Sequence, residues 1–487
     1  MYSVEQQFAG KHIFITGTSG FLGKVVLQRI MEEVPSVGKI SILMRGNKHY
    51  PDAVKRAQAE IFSSKMFEHM NRDFLETFIQ DKIVVIEGEL TKSRYGMSEY
   101  TFTEFSRSVD LVINSAASVD FRERLDRAIK TNINSVDNVI QMARINKSLA
   151  VTHVSTCYTN GFKTGDIYEQ IHQPLYNNAP INSKGVVYVD KLISLLKQEM
   201  ALITKHAGSE KAISHILTQY GLTVANRYGF TDTYTFTKWL AEHKLYSELS
   251  DRNVSIVRPA IIEAALKAPV QGWLEGIKVS DAVIFAFARG KMSTFPGKKD
   301  TVLDLIPVDT VSNVIILASA KTLAVKQFDV YQVGSSKENP LNADDFGGYF
   351  FEALKDVKKF PKLTKGKAPK KRMVIENPKV FFAKLKLAQL AGTAVKNTIF
   401  EKKLNLNPAH IKSASAVAEA FTFYASSGGS DAYFFRVDNT KLLTKEFSEE
   451  DQKKFIVDIG SIAWEDYVKN VHVPGIELYA MKEKSKK

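Results

Sequence analysis

A tyrosine and a lysine four residues apart, Tyr234 and Lys238, carry the clearest chemical potential in this chain. The segment DTYTFTKWLAEHKLY (232–246) has helical spacing, so both side chains share one helix face. An ammonium beside a phenol favours the phenolate and lowers the phenol pKa from about 10. Tyr234 is then a proton donor to a carbonyl oxygen that turns negative as hydride reaches its carbon, and Lys238 can also bind a ribose. With 18 tyrosines and lysine at about one residue in ten, chance alone yields one or two such pairs. Tyr234 is the only tyrosine with lysine at +4. The pair gains weight from what lies upstream.

Upstream, residues 11–23 read KHIFITGTSGFLG. A short apolar run, Ile13 to Ile15, stops at Gly17, and Gly20 and Gly23 follow at three-residue steps into an apolar helical pattern. Gly17 allows a tight turn, Gly20 lets a pyrophosphate approach the backbone, and Gly23 lets helix and strand pack closely. The free N–H groups at the helix start then face phosphate. Three glycines alone mark an ordinary strand–turn–helix corner about as often as a dinucleotide site. A second apolar run, KISILM (39–44), ends at Arg45. Near this point an NAD site usually has Asp or Glu for the ribose 2′-hydroxyl, whereas a basic residue suits a 2′-phosphate. The expected cofactor is NADPH.

The elements that must position these residues alternate. The strand-like runs KIVVIEG (82–88), DLVINSAAS (110–118) and LAVTHVST (149–156) are separated by helical stretches. That alternation predicts an α/β fold: a Rossmann-type, doubly wound parallel sheet with helices on both faces. Ligands in such sheets sit beyond the carboxyl ends of the strands, where Glu89, Ala116, Ser155 and Thr156 fall.

The motifs Gly17-x-x-Gly20-x-x-Gly23, Asn114-Ser-Ala-Ala, Val154-Ser-Thr156, Tyr234-x-x-x-Lys238, Arg258-Pro259 and Ile306-Pro-Val-Asp309 resemble the extended short-chain dehydrogenase/reductase superfamily. Ser115-Ala-Ala-Ser-Val-Asp-Phe121, Val154-Ser-Thr-Cys-Tyr158, Pro269-Val-Gln-Gly-Trp273 and Phe435-Arg-Val-Asp-Asn439 narrow the likeness to alcohol-forming fatty acyl-CoA reductases, and to bacterial single-module members. The resemblance implies NADPH-dependent reduction of long-chain fatty acyl-CoA, or acyl-carrier protein, through a fatty aldehyde to a primary alcohol. It makes Tyr234 the general acid, Lys238 its tuner and ribose ligand, and Thr156 the second hydroxyl on the substrate oxygen. Ser155 stays open as the alternative, since register at the strand end decides which hydroxyl faces the cofactor. The implied cofactor cradle is Gly17, Thr18, Ser19, Gly20, Phe21, Leu22, Gly23, Arg45, Glu89, Leu90, Ala116, Val154, Tyr234, Lys238, Pro259 and Ile262. Many relatives have aspartate where this chain has Glu89, which leaves the adenine contact open.

One site can serve two rounds of reduction, because both put hydride on a carbonyl carbon. Whether aldehyde or alcohol is released stays open, as do chain-length preference and oligomeric state. Cys157 offers a covalent alternative, an enzyme thioester. It follows Thr156 in an extended segment, so their side chains should point to opposite sides, and lone cysteines are commonly buried and inert. Two other classes compete: a nucleotide-sugar enzyme of the same superfamily, and a non-catalytic NADPH sensor.

The 77 residues between Thr156 and Tyr234 exceed the few tens of compact relatives. This insertion, about 159–228, has a turn-rich part to Gly185 and helical stretches Val189–His206 and Lys211–Tyr220, and is expected to shape the acyl or CoA pocket. A catalytic domain over 1–354 includes a substrate-side region at about 260–350. A basic linker at 355–376 and a mostly helical C-terminal domain at 377–487 follow. Between Lys355 and Arg372 lie nine Lys or Arg and one acid, a solvated run that can attract CoA phosphates, carrier-protein acids or an anionic membrane surface. No nucleic-acid motif accompanies the charge. Phe381, Phe382 and Leu385 in VFFAKLKLAQLAGTAVKN serve either the domain core or the acyl chain. Helical patterns at Ile411–Tyr424 and Glu449–Val471 follow, with Trp464 and Tyr467 as core anchors.

A chain of 487 residues, 44% hydrophobic and 24% charged, fits a soluble protein of two or three domains. It shows no 18-residue apolar window and no basic-then-apolar leader. One cysteine excludes an intrachain disulfide and suits a cytoplasmic location. The ten histidines and the cysteine suggest no metal-ligand cluster, and His153 and His243 read as packed or capping side chains.

Overall fold

The computed structural model describes residues 1–176, 178–277, 279–394 and 432–481. Seven parallel strands form the central sheet: β1 (His12–Thr16), β2 (Lys39–Met44), β3 (Ile83–Glu87), β4 (Leu111–Asn114), β5 (Ala150–Val154), β6 (Val254–Pro259) and β7 (Phe328–Val333). Their spatial order is β7-β6-β5-β4-β1-β2-β3. The order reverses between β1 and β4, and a doubly wound sheet opens its ligand crevice at that reversal. Ile13, Phe14 and Ile15 of β1 and Leu111 to Ile113 of β4 are buried on both faces, which is why these strands read as unbroken apolar runs.

The substrate-side region 260–350 does more than was expected of it. It supplies β7, which closes the sheet edge beside β6, and the helix Val308–Ala324 across one face. The insertion forms helices Val189–Thr204 and Glu210–Arg227. Leu192, Leu196, Leu217 and Val224 from these helices form a separate core with Phe236 and Trp239 of helix Thr233–Leu249. The insertion is therefore built onto the helix that carries Tyr234.

Segment 355–376 is not a free linker. It contains the helix Pro361–Thr364, whose Lys362 and Leu363 amides donate to Glu477, and the strand Val374–Glu376 paired with Thr294–Pro296. Phe360, Leu363 and Met373 are buried, so apolar residues between the lysines dock the segment that net charge suggested was loose.

The C-terminal part shares the main core. Phe381 is buried and Phe382 partly so within it, the packing reading of those two rings. Trp464 and Tyr467 join the same core, and the Tyr467 hydroxyl donates to the Ala264 carbonyl at 2.7 Å. The expected Glu449–Val471 helix is interrupted: Glu449–Lys454 ends at Phe455, and helical structure resumes at Trp464. The strand Tyr433–Phe435 pairs in parallel with Gly165–Ile167 of the insertion. The Ile411–Tyr424 pattern and the Leu385 side chain lie outside the described residues.

Candidate active site

At the end of β1 the three glycines act by distinct means. Gly17 adopts φ +83°, and a Cβ there would sit 2.8 Å from the Ala116 nitrogen. A Cβ on Gly23 would lie 2.4 Å from the Gly17 carbonyl oxygen, so the helix can approach the turn only with glycine there. Gly20 caps helix Phe21–Glu33 with no side-chain hydrogen bond, leaving its first amides unclaimed by a cap. Ser19 and Gly20 are exposed, while Thr18 is buried with its hydroxyl lacking a partner among the described residues. An open helix N-terminus, a hydroxyl in need of a partner and a backbone bare of Cβ atoms fit a dinucleotide pyrophosphate. Phe21 packs on Trp273 with ring centroids 5.3 Å apart, and Lys24 donates to Glu275 at 2.7 and 2.8 Å. Both contacts hold the loop after β6 against this turn.

Arg45 follows β2, with its guanidinium 3.8 Å from the Glu89 carboxylate. The Thr91 hydroxyl donates to Glu89 at 2.8 Å, and this bond, with Lys92, Arg45 and Lys130 nearby, outweighs partial burial and lowers the Glu89 pKa. The longer acid at position 89 is thus used to meet Arg45. Leu90 lies beside it, its carbonyl accepting from Asn138 at 3.3 Å.

Asp232 starts the helix that carries Tyr234 and Lys238, accepting from the Thr235 amide at 2.8 Å. Ser155 and Thr156 emerge just past β5. Thr156 lies beside the Tyr234 hydroxyl, and its own hydroxyl donates to the Pro259 carbonyl at 3.3 Å. Ser155 is buried with no hydroxyl partner among the described residues. Register has therefore turned Thr156, not Ser155, toward the tyrosine. Val154 contributes its carbonyl, which accepts from Lys238 Nζ at 2.6 Å, and Ile262 continues past β6 in a short parallel pairing with Ile306.

The expected acidification of Tyr234 by Lys238 is overturned. Burial, then the Asp232 charge, pushes the phenol pKa up, and only the nearby Thr156 hydroxyl opposes them. Lys238 directs its Nζ at the Val154 carbonyl and at His153 Nε2, and burial lowers its own pKa to about 8. For reduction the consequence is favourable, since a phenol that keeps its proton at neutral pH remains a donor.

Cys157 is buried, and its thiol donates to the Arg258 carbonyl at 2.8 Å. Burial raises its pKa well above the ordinary thiol value, so no thiolate stands ready. Cys157→Ala should therefore retain carbonyl reduction within about threefold, set against the 10²-fold or greater loss expected on removing a true nucleophile. Steady-state kinetics on the folded variant checks this.

Two buried groups escaped the sequence reading because their partners are distant in the chain. Arg258 bonds Glu242 at 2.6 and 2.9 Å and His172 at 3.0 Å. The His172 carbonyl in turn accepts from Trp239 at 2.7 Å, which fastens the insertion's turn-rich part to the Tyr234 helix. His243 joins the same set at 3.0 Å, matching its expected packed role. The second group joins His472 to Asp281 at 2.7 Å and to Glu263 at 3.3 Å, all fully buried.

A parallel sheet, a glycine-bounded phosphate cradle and a Thr–Tyr–Lys set at the strand ends define a dinucleotide-binding oxidoreductase of the extended short-chain dehydrogenase/reductase type. Two family models, both described as male sterility protein, match the chain: an NAD-binding one over residues 15–315 and a second, Sterile, over 394–483. The chain belongs to the male sterility protein family. It is 29% identical to Fatty acyl-CoA reductase 2, chloroplastic, of Arabidopsis thaliana, across 97% of this chain and 79% of that protein. It is also 29% identical to the alcohol-forming fatty acyl-CoA reductase of Simmondsia chinensis, across 70% of each. Among solved structures, the terminal R domain of the myxalamid PKS-NRPS pathway superposes with a TM-score of 0.61 at 15% identity, covering 96% of this chain and 90% of that one. The reductase domain of a nonribosomal peptide synthetase from Mycobacterium tuberculosis gives 0.56 at 15%, covering 98% and 95%. These two likenesses concern the fold alone.

Proposed function

We propose that this protein reduces long-chain fatty acyl-CoA to fatty alcohol through the aldehyde, using NADPH. The observation that carries the reading is Thr156 beside a protonated Tyr234 beyond the carboxyl end of β5, in a chain 97% of which matches a relative named fatty acyl-CoA reductase. A bound nicotinamide would supply hydride. As charge builds on the thioester oxygen, Thr156 and Tyr234 hydrogen-bond it, and Tyr234 delivers its proton. As the resulting hemithioacetal expels the CoA thiolate, its hydroxyl proton returns to Tyr234, and the aldehyde left behind is served again by the same two hydroxyls once a second NADPH has replaced the oxidised cofactor. In this reading Lys238 also holds the cofactor ribose.

The preference for the phosphorylated cofactor is assigned to Arg45, exposed beyond β2 and drawn only loosely to Glu89. Arg45→Ala should raise the KM for NADPH about tenfold, the weak end of a charge-assisted bond, and leave the NADH value nearly unchanged. Cofactor titrations with both forms check it. The cations of 355–372 supply an anion-attracting surface for CoA phosphates, and the lone buried thiol suits the cytoplasm. The deciding assay follows NADPH oxidation with palmitoyl-CoA, a fatty aldehyde and a nucleotide sugar, with product identification. Turnover of the sugar alone, or of none, sinks the reading.

A further inference from the structure

A single file of buried polar groups runs from the glycine-rich turn to Lys238, and its hydrogen positions can be deduced in order. The Ala116 amide can only donate, and it reaches Thr16 Oγ1 at 3.2 Å. The Thr16 hydroxyl then donates to Asn114 Oδ1 at 2.9 Å, which fixes the orientation of that amide. Asn114 Nδ2, also only a donor, faces His153 Nδ1 at 3.0 Å. His153 Nδ1 must therefore carry the lone pair. Burial keeps this imidazole neutral, so its one proton sits on Nε2. That nitrogen lies 3.3 Å from Lys238 Nζ. Thr16, Asn114, His153 and Lys238 are each at most 2% exposed, so water does not rearrange the file.

We propose that His153 is a positioning residue that biases Lys238 toward its uncharged amine by presenting an N–H donor at the end of this one-way chain. The proposal rests on the reading of Tyr234 and Lys238 as the reductase site. An ammonium has three donors and no lone pair, so it meets the Nε2–H unfavourably. Accommodating it requires the ring proton to move to Nδ1 and the Asn114 amide to turn over. The Thr16 oxygen would then accept from both Ala116 and Asn114, and its hydroxyl proton would lose its acceptor. The charged form of Lys238 is thus opposed by three coupled rearrangements and not by burial alone. The other titratable groups near Lys238 are Glu242 and Tyr234 on its own helix. Glu242 favours the ammonium but is already claimed by Arg258.

The test compares His153→Phe, His153→Gln and Thr16→Val with the natural protein, each first shown to be folded by its melting temperature. In NADPH-dependent fatty-aldehyde reduction, the alkaline limb that follows Lys238 should move up by about one pH unit in His153→Phe. Thr16→Val, three links away, should move it in the same direction but less, because the freed amide can turn. His153→Gln can still donate toward the amine and should restore most of the natural limb. A second readout needs no cofactor. In the folded apoprotein Lys238 binds fewer protons than in the unfolded chain, so its contribution to stability grows with pH above about 8. Urea unfolding from pH 8 to 10 should show a less positive slope of stability against pH in His153→Phe and Thr16→Val than in the natural protein, whose other groups set the same background in all three. Limbs and slopes unchanged in both variants overturn the proposal, since simple space-filling by His153 predicts that result. If the natural protein reduces no carbonyl, the site reading fails, while the urea slopes still decide the role of His153.

Discussion

Replacing Tyr234 with phenylalanine should lower both acyl-CoA and aldehyde reduction by about 10²- to 10⁴-fold, the ordinary range for removing a positioned proton donor. The substitution deletes one oxygen. The ring keeps its edge contact with Phe121, 5.9 Å between centroids, and helix Thr233–Leu249 keeps its Asp232 cap. Cofactor affinity, measured by fluorescence titration, should stay within about threefold, because Lys238 and the glycine turn are untouched. The two activities should fall together, since one hydroxyl serves both rounds. A variant that loses thioester reduction but keeps aldehyde reduction would require a second acid elsewhere. Burial of the phenol adds a pH signature: the donor stays protonated to high pH, so loss of Tyr234's proton cannot set the alkaline limb near neutrality.

His472→Leu should destabilise the fold by about 3–5 kcal/mol, the cost of leaving a buried charge without its partner. His472 lies between Asp281 and Glu263 with no exposure, and its removal leaves two carboxyl groups side by side. Burial alone would lower the imidazole pKa, but the hydrogen bond to Asp281, the adjacent Glu263 carboxylate and the charges of both raise it to about 10. The sign follows. A histidine raised from about 6.5 contributes its full stabilisation below that pH and loses it as pH climbs through about 10. Glu263, raised by burial and then by Asp281, acts in the same direction. Chemical unfolding of natural protein and variant at pH 6, 8 and 10 should show the two curves converging toward alkaline pH. Parallel curves would mean that His472 is uncharged in the fold.

The sequence announced β1 to β5 because each is an apolar, β-branched run bounded by turns, and the glycine spacing marks the turn after β1 as the candidate phosphate cradle. Strand β7 escaped because FDVYQV lies in a stretch already assigned to substrate binding, and one strand carries no label of the sheet it joins. Spacing put Tyr234 and Lys238 on one helix face, yet it could not say where the ammonium points. That depends on the Val154 carbonyl and His153, which arrive from β5. The same limit applies to the choice of hydroxyl. Thr156 was separable from Ser155 only once the strand's end and the Tyr234 ring were both fixed. Groups such as Glu263, Asp281 and His472 have no linear pattern at all, since burial and distant chain closure assemble them.

The parallel pairing of Tyr433–Phe435 with Gly165–Ile167 bears on how such enzymes can be recombined. Glu169, one turn beyond that pairing, accepts from the Gln332 amide of β7 at 2.8 Å and from the Thr440 hydroxyl at 2.9 Å. Cutting the chain between the two matched families would expose a strand edge and leave this carboxylate without three of its four donors, those from Asn439 and Thr440. Chimeras that trade tails between homologues should therefore carry the 165–169 segment along as part of the same cassette. A junction placed by sequence boundaries alone would split one cooperative unit.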